Sequence, residues 1–104
     1  VQEIQSRVMP VAKKYGIKAV FLFGSYAKGT ATEDSDIDLL IDTSGTALRS
    51  LLSLGALYND LEAVLEKKID LITIRSLEQR TQMPSEAEFR EAVMKERVQL
   101  YDVA

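Results

Sequence analysis

Three aspartates and a glycine-serine pair carry the chemistry open to this chain. Gly24-Ser25 is followed, after ten residues, by Asp36-Ile37-Asp38, and Asp70 stands further on between Ile69 and Leu71. Asp36 and Asp38 are two positions apart in an apolar stretch. On a strand, both side chains then point to one face, roughly 7 Å apart at the backbone. Carboxylates that close repel unless a cation lies between them, and oxygen-only donors suit a hard ion such as Mg²⁺. Gly24 lets the backbone approach a phosphate closely. A turn there sets backbone N–H groups and the Ser25 hydroxyl at the start of a short helix, where an anion binds well. An anion cradle beside a divalent-metal site is what handling a nucleoside triphosphate requires.

Each of these residues also has a plainer role. Gly24 alone is a turn residue, and Ser25 alone is a helix N-cap; neither role conflicts with a phosphate contact. Asp34, Asp36 and Asp38 open like a calcium loop, but Leu39 stands where that loop needs glycine and Gly45 where it needs glutamate. A solvated strand face explains Asp36 and Asp38 poorly, because like charges repel and aspartate disfavours strands. Asp70 carries the same argument more weakly, since it could cap a loop or pair with Lys68. Lys28 reaches a triphosphate from the short helix or is a surface lysine. Tyr26 stacks or packs, Asp42 reads as a solvated strand end, and Glu33 and Asp34 as loop residues.

The elements that position these groups follow from periodicity. Residues 2–15 carry Ile4, Val8, Val11, Ala12 and Tyr15 at helical spacing, with Pro10 inside, so a kink or a later start is expected. Gly16 closes that helix. A strand over 18–23, a short helix from Ser25 to Lys28, a polar loop and a strand over 36–42 come next. A helix over 46–66 carries Leu48, Leu51, Leu52, Leu57, Leu61, Val64 and Leu65, with Leu54 widening its apolar side; part of that breadth suits a partner surface. Lys67-Lys68 favours the helix C-terminus. A strand over 69–74 follows. Ser76-x-x-Gln79 offers a cap, and Ser85-x-x-Glu88 a capping box for a helix to about 97, with Phe89, Ala92, Val93 and Met94 inward. Val98 to Tyr101 reads as a strand or a docked tail. The alternation predicts a mixed α/β sheet with helices mainly on one side.

Bulk properties narrow the classes. The 104 residues suit a single domain over 1–104. With no histidine and no cysteine, a Ser-His-Asp triad and a disulfide are excluded, and a structural zinc site is strongly disfavoured. Catalysis is left to carboxylates, hydroxyls, Lys, Arg or a bound metal. A net charge of −3 argues against broad sequence-independent nucleic-acid binding, with a local basic patch left open, and nucleic acid is not expected as a direct substrate. No membrane-length apolar run and no secretory leader pattern is visible, so a cytoplasmic place is expected. The first residue is Val, which leaves the native start open.

The Gly24-Ser25-x10-Asp36-x-Asp38 spacing resembles the signature of the DNA polymerase beta-type nucleotidyltransferase superfamily. Within it, Phe23 to Ala31 and Asp34 to Ile41 are most similar to the minimal nucleotidyltransferase (MNT) proteins of bacteria and archaea. Ile69-Asp70-Leu71-Ile72 fits the family's third carboxylate strand. The resemblance covers about residues 15–75 and implies a polymerase beta-like core, a small twisted sheet with the site on its exposed face. It implies catalytic and metal-binding roles for Asp36, Asp38 and Asp70, two Mg²⁺ ions, and Asp70 as general base. It implies nucleotide contacts at Gly24, Ser25 and Lys28, with ATP as substrate and AMP moved to a hydroxyl. It further implies a hetero-oligomer with a HEPN-domain toxin, AMP transfer to a toxin tyrosine, and an antitoxin role. Two other readings stay open: an antitoxin that acts by binding alone, and the catalytic subunit of a two-chain small-molecule transferase.

Overall fold

Sheet formation places the acidic residues, so the strands come first. In the computed structural model, which describes residues 2–46, 50–78 and 84–102, the strands are β1 (Ala19–Phe23), β2 (Ile37–Asp42), β3 (Ile69–Thr73) and β4 (Val98–Asp102). They lie in the order β3-β2-β1-β4. β1 runs antiparallel to β2 and to β4, and β2 runs parallel to β3. Parallel neighbours need a crossover, not a tight turn, and helix α3 (Leu51–Leu65) supplies it. The result is the mixed α/β sheet expected from the alternation. The C-terminal segment is a true edge strand, with a register shift opposite Val20 and Phe21.

Period-two alternation splits the strand side chains between two layers. Val20, Leu22, Ile37, Leu39 and Ile41 pack with α1 (Gln2–Tyr15) and with Leu57, Leu61 and Leu65 of α3. This is the larger core, and each leucine fully buried in it contributes about 1.5–3 kcal/mol. On the other side Phe23, Leu40 and Ile72 meet Leu77 of α4 (Ile74–Glu78) and Val93 of α5 (Pro84–Glu96). Asp38 precedes Leu40 by two, and Asp70 precedes Ile72 by two. Both therefore belong to the second face, at the edge of its smaller core.

Several boundaries differ from the sequence reading, each for a local reason. α1 runs through Pro10 without restarting. Pro10 and Ser6 are exposed, so the Ser6 carbonyl that loses its helical donor faces water. α3 starts well after residue 46. Thr46 donates its N–H to the Thr43 carbonyl in a turn (3.1 Å), and Ser50 is the N-cap, accepting from the Ser53 N–H at 3.1 Å. Leu48 and the Leu51 side chain lie outside the described residues. α3 ends at Glu66 in the left-handed region, while Arg7 donates to the Val64 carbonyl at 3.1 Å and pairs with Glu66 at 3.3 Å. β3 stops at Thr73, whose hydroxyl accepts from the Ser76 N–H at 3.0 Å. Thr73 thus takes the capping role expected of Ser76, and Gln79 lies outside the described residues, as does the Ser85 side chain of the expected capping box. α5 buries Val93 but leaves Ala92 exposed and Phe89 and Met94 each more than a third exposed, a narrower inward face than predicted.

Candidate active site

The β registers bring the predicted acids together. Phe23 pairs with Asp38, and Asp38 with Asp70, making one row across β1, β2 and β3. Neighbouring strands lie about 4.8 Å apart, so Asp38 and Asp70 stand side by side on one face. Asp36 was expected inside the strand. It lies one residue ahead of β2 and is exposed, so the ladder does not hold it directly.

Gly24 follows Phe23 and turns the chain with φ +73° into the short helix α2 (Gly24–Lys28). A Cβ at position 24 would lie 2.1 Å from Asp38 Oδ2, inside any nonbonded contact distance. The backbone is therefore pressed against the carboxylate, and only glycine fits both the space and the left-handed conformation. The N-cap position of α2 is Phe23, and no side chain caps the helix. Ser25 is thus not the N-cap, and among the described residues no side chain caps the first amides of α2. Lys28 ends α2 and pairs across the site with Glu96 of α5 at 3.2 Å, both about half exposed.

A cleft of about 260 Å³ opens between these parts. Gly24, Lys28, Asp38 and Asp70 line one side, and Phe89, Ala92 and Glu96 of α5 the other. Phe89 also meets Phe23 edge to face, with ring centroids 6.3 Å apart. The α5 wall was not anticipated, because Phe89, Ala92 and Val93 carry helical spacing and read as ordinary core. Ser25 and Asp36 flank the cleft in sequence without lining it.

Partial burial raises the Asp38 pKa, and the negative charges of Asp70 and then Asp36 push it the same way. Asp38 therefore feels both neighbouring carboxylates. Among the described residues no three acidic side chains converge closely enough to hold a metal ion. The donor chemistry nevertheless fits one. The set is carboxylate only, as a hard divalent cation prefers, and the raised Asp38 pKa marks negative charge that a cation would offset.

With the fold and the acidic row in place, the chain can be set beside known proteins. Residues 10–100 match the model of the nucleotidyltransferase domain family. The chain belongs to that family. Among relatives of this nucleotidyltransferase, a Methanocaldococcus jannaschii protein provisionally named a protein adenylyltransferase is 39% identical over 77 residues, 74% of this chain and 81% of that protein. Two solved structures share the fold. One is a toxin-antitoxin crystal structure with AMP-PNP, at TM-score 0.72 and 21% identity, covering 95% of this chain and 73% of the other. The second is a tri-AMPylated Shewanella oneidensis HEPN toxin in complex with an MNT antitoxin, at TM-score 0.63 and 18% identity, covering 99% and 74%.

Proposed function

We propose that this nucleotidyltransferase moves AMP from ATP onto a tyrosine hydroxyl of a HEPN-domain toxin and so serves as that toxin's antitoxin. The observation that carries the chemistry is the Asp38–Asp70 ladder pair with the Gly24 backbone pressed against it. Nothing in binding alone calls for two carboxylates side by side with a backbone turn wedged onto one of them. The adenylyltransferase name of the relative and the AMPylated HEPN toxin beside the MNT antitoxin support the donor and the partner. The reading takes the chain to be one minimal catalytic domain working in the cytoplasm, where ATP is supplied, within a hetero-oligomer.

In this reading the triphosphate lies along the amides of Gly24 and Ser25, with Lys28 leaving Glu96 to meet a phosphate. The base lies toward Phe89 and Ala92, whose apolar surface suits a purine face. The acceptor oxygen attacks the α-phosphorus, the bond to the bridging oxygen of the β-phosphate breaks, and pyrophosphate leaves with that electron pair. The acceptor proton passes to Asp70, which sits exposed at the cleft floor. Asp36, Asp38 and Asp70 would hold Mg²⁺, two ions on the family pattern, which would offset charge on the phosphates. Preorganised positioning supplies the remainder of the rate.

The test is label transfer from α-labelled ATP with Mg²⁺ in lysate of the native host, comparing wild type with Asp36→Asn/Asp38→Asn. Label on one protein with wild type alone establishes AMP transfer, and mass spectrometry identifies the acceptor and its residue. Equal or absent labelling, while the variant still captures the same partner on a column, refutes the enzymatic reading.

A further inference from the structure

Lys67 is used by none of the chemistry above and does not line the cleft, yet it meets both the loop ahead of Asp36 and the Tyr26 ring of α2. Its ammonium donates to the carbonyls of Glu33 at 2.5 Å and Ser35 at 2.9 Å. It also lies over the Tyr26 ring of α2, 5.6 Å from the centroid, within range of a cation–π contact. In the chain it stands three residues ahead of Asp70.

The segment it grips is the one that ends at Asp36. Within that loop Thr32 and Ser35 close a small turn: Ser35 N–H donates to the Thr32 carbonyl at 3.1 Å, and Thr32 N–H to Ser35 Oγ at 2.9 Å. Beyond it, the Ile37 N–H donates to the Lys68 carbonyl at 3.1 Å, beside the first β2–β3 register pair. Asp36 is bracketed between these points. On one side the Lys67 ammonium holds the carbonyls of the loop, and on the other the next residue's carbonyl holds the first amide of β2. Both loop carbonyls are met by the one Lys67 ammonium, which carries three donors.

We infer that Lys67 is a positioning residue that sets Asp36 against Asp38 and Asp70, and that through Tyr26 it ties this setting to α2. The inference rests on the proposed nucleotidyl-transfer reading for its consequence. Its structural content is independent of that reading. Groups that orient metal-ligating side chains cost roughly 10–100-fold in metal affinity or activity when removed. The same range is expected for Lys67→Met.

The experiment uses the full chain, with Mn²⁺ binding followed by electron paramagnetic resonance, AMP transfer kinetics, thermal unfolding and amide exchange over residues 30–37. Lys67→Met is expected to bind Mn²⁺ roughly tenfold more weakly and to lose kcat more than it raises KM for ATP. Exchange should quicken at the 33–37 amides while the melting temperature stays near that of wild type. Lys67→Arg, which keeps the charge and donors, is expected to recover most of the Mn²⁺ affinity. Unchanged Mn²⁺ binding and unchanged exchange in Lys67→Met overturn the inference. So does a loss of Mn²⁺ affinity that comes with a collapsed melting temperature in both variants, since Lys67 then only holds the fold. A wild type that binds no Mn²⁺ and transfers no AMP removes the functional reading itself, and that pattern differs from an active wild type matched by its variant.

Discussion

Gly24 is where backbone and chemistry conflict most directly. Alanine there meets two penalties: a left-handed backbone, worth about 1–2 kcal/mol, and a Cβ overlapping Asp38 Oδ2. Gly24→Ala is therefore expected to lower the urea midpoint and to abolish AMP transfer by displacing the carboxylate. Gly24→Ala/Asp38→Ala should regain part of the lost stability, because the overlap goes while the backbone strain stays. A Gly24→Ala protein with an unshifted midpoint would show that the turn is looser than described. A second residue-scale prediction concerns Asp60, far from the cleft. Tyr15 donates to it at 2.6 Å and Lys14 pairs with it at 3.0 Å. These two bonds, the tyrosine's first, hold its pKa below the ordinary aspartate value near 3.8. A carboxylate with a depressed folded pKa stabilises the fold above its unfolded pKa, and that stabilisation fades as pH falls through the folded one. The melting-temperature advantage of wild type over Asp60→Asn should be full at pH 6 and vanish in acid. An advantage independent of pH would assign the effect to packing.

At the scale of elements, α5 and α2 face each other across the cleft, joined by Lys28 and Glu96. A half-exposed pair of this kind is worth about 0–1 kcal/mol, so a triphosphate can take Lys28 from it. Glu96→Gln should leave stability nearly unchanged and tighten ATP binding a few-fold, read by calorimetry; weaker binding would mean that Glu96 itself helps the nucleotide. Phe89→Ala tests the opposite wall. It should raise KM for ATP while leaving inhibition by inorganic tripolyphosphate intact, because only the base end is lost. Equal weakening of both ligands would place Phe89 at the phosphate end or in the fold. These elements also show what could be read in advance. The Gly24-Ser25 turn and the apolar strands follow from short-range pattern, whereas the place of Asp70 beside Asp38 follows from the family resemblance, since alternation fixes faces within one strand only. The α5 wall follows from neither, because Phe89 and Val93 at helical spacing look alike whether they meet a core or a ligand. The late start of α3 turns on one side-chain bond at Ser50, and the loss of Ile74 to α4 turns on Thr73. The clamp at Lys67 was invisible for another reason: a lysine after a helix satisfies the helix dipole, and nothing local signals that it reaches back across 32 residues to Ser35.

Across the whole molecule, the site is stored electrostatic cost. The fold sets Asp38 and Asp70 side by side on one face of the sheet, with Asp36 just ahead of β2, and burial followed by the charges of Asp70 and Asp36 raises the Asp38 pKa. A raised folded pKa means that ionised Asp38 opposes folding at neutral pH, so Asp38→Asn should raise the melting temperature of the ligand-free protein. In the proposed function divalent cation and nucleotide bind the folded chain at the acidic row, and they should therefore reverse the sign. Saturation at a hundred times the dissociation constant stabilises a fold by about 2.7 kcal/mol. For a domain near this size each kcal/mol moves the midpoint about 4–8 °C. Wild type with Mg²⁺ and a non-hydrolysable ATP analogue should therefore melt well above its ligand-free form, and chelation should return it to the starting value. Asp38→Asn should start higher and gain little, so that the two curves cross as ligand is added. Parallel shifts in both proteins would place the nucleotide elsewhere on the surface and detach the acidic row from its proposed work. A crossing would show that the Asp38 carboxylate, which weakens the empty fold, is what ligand binding draws upon.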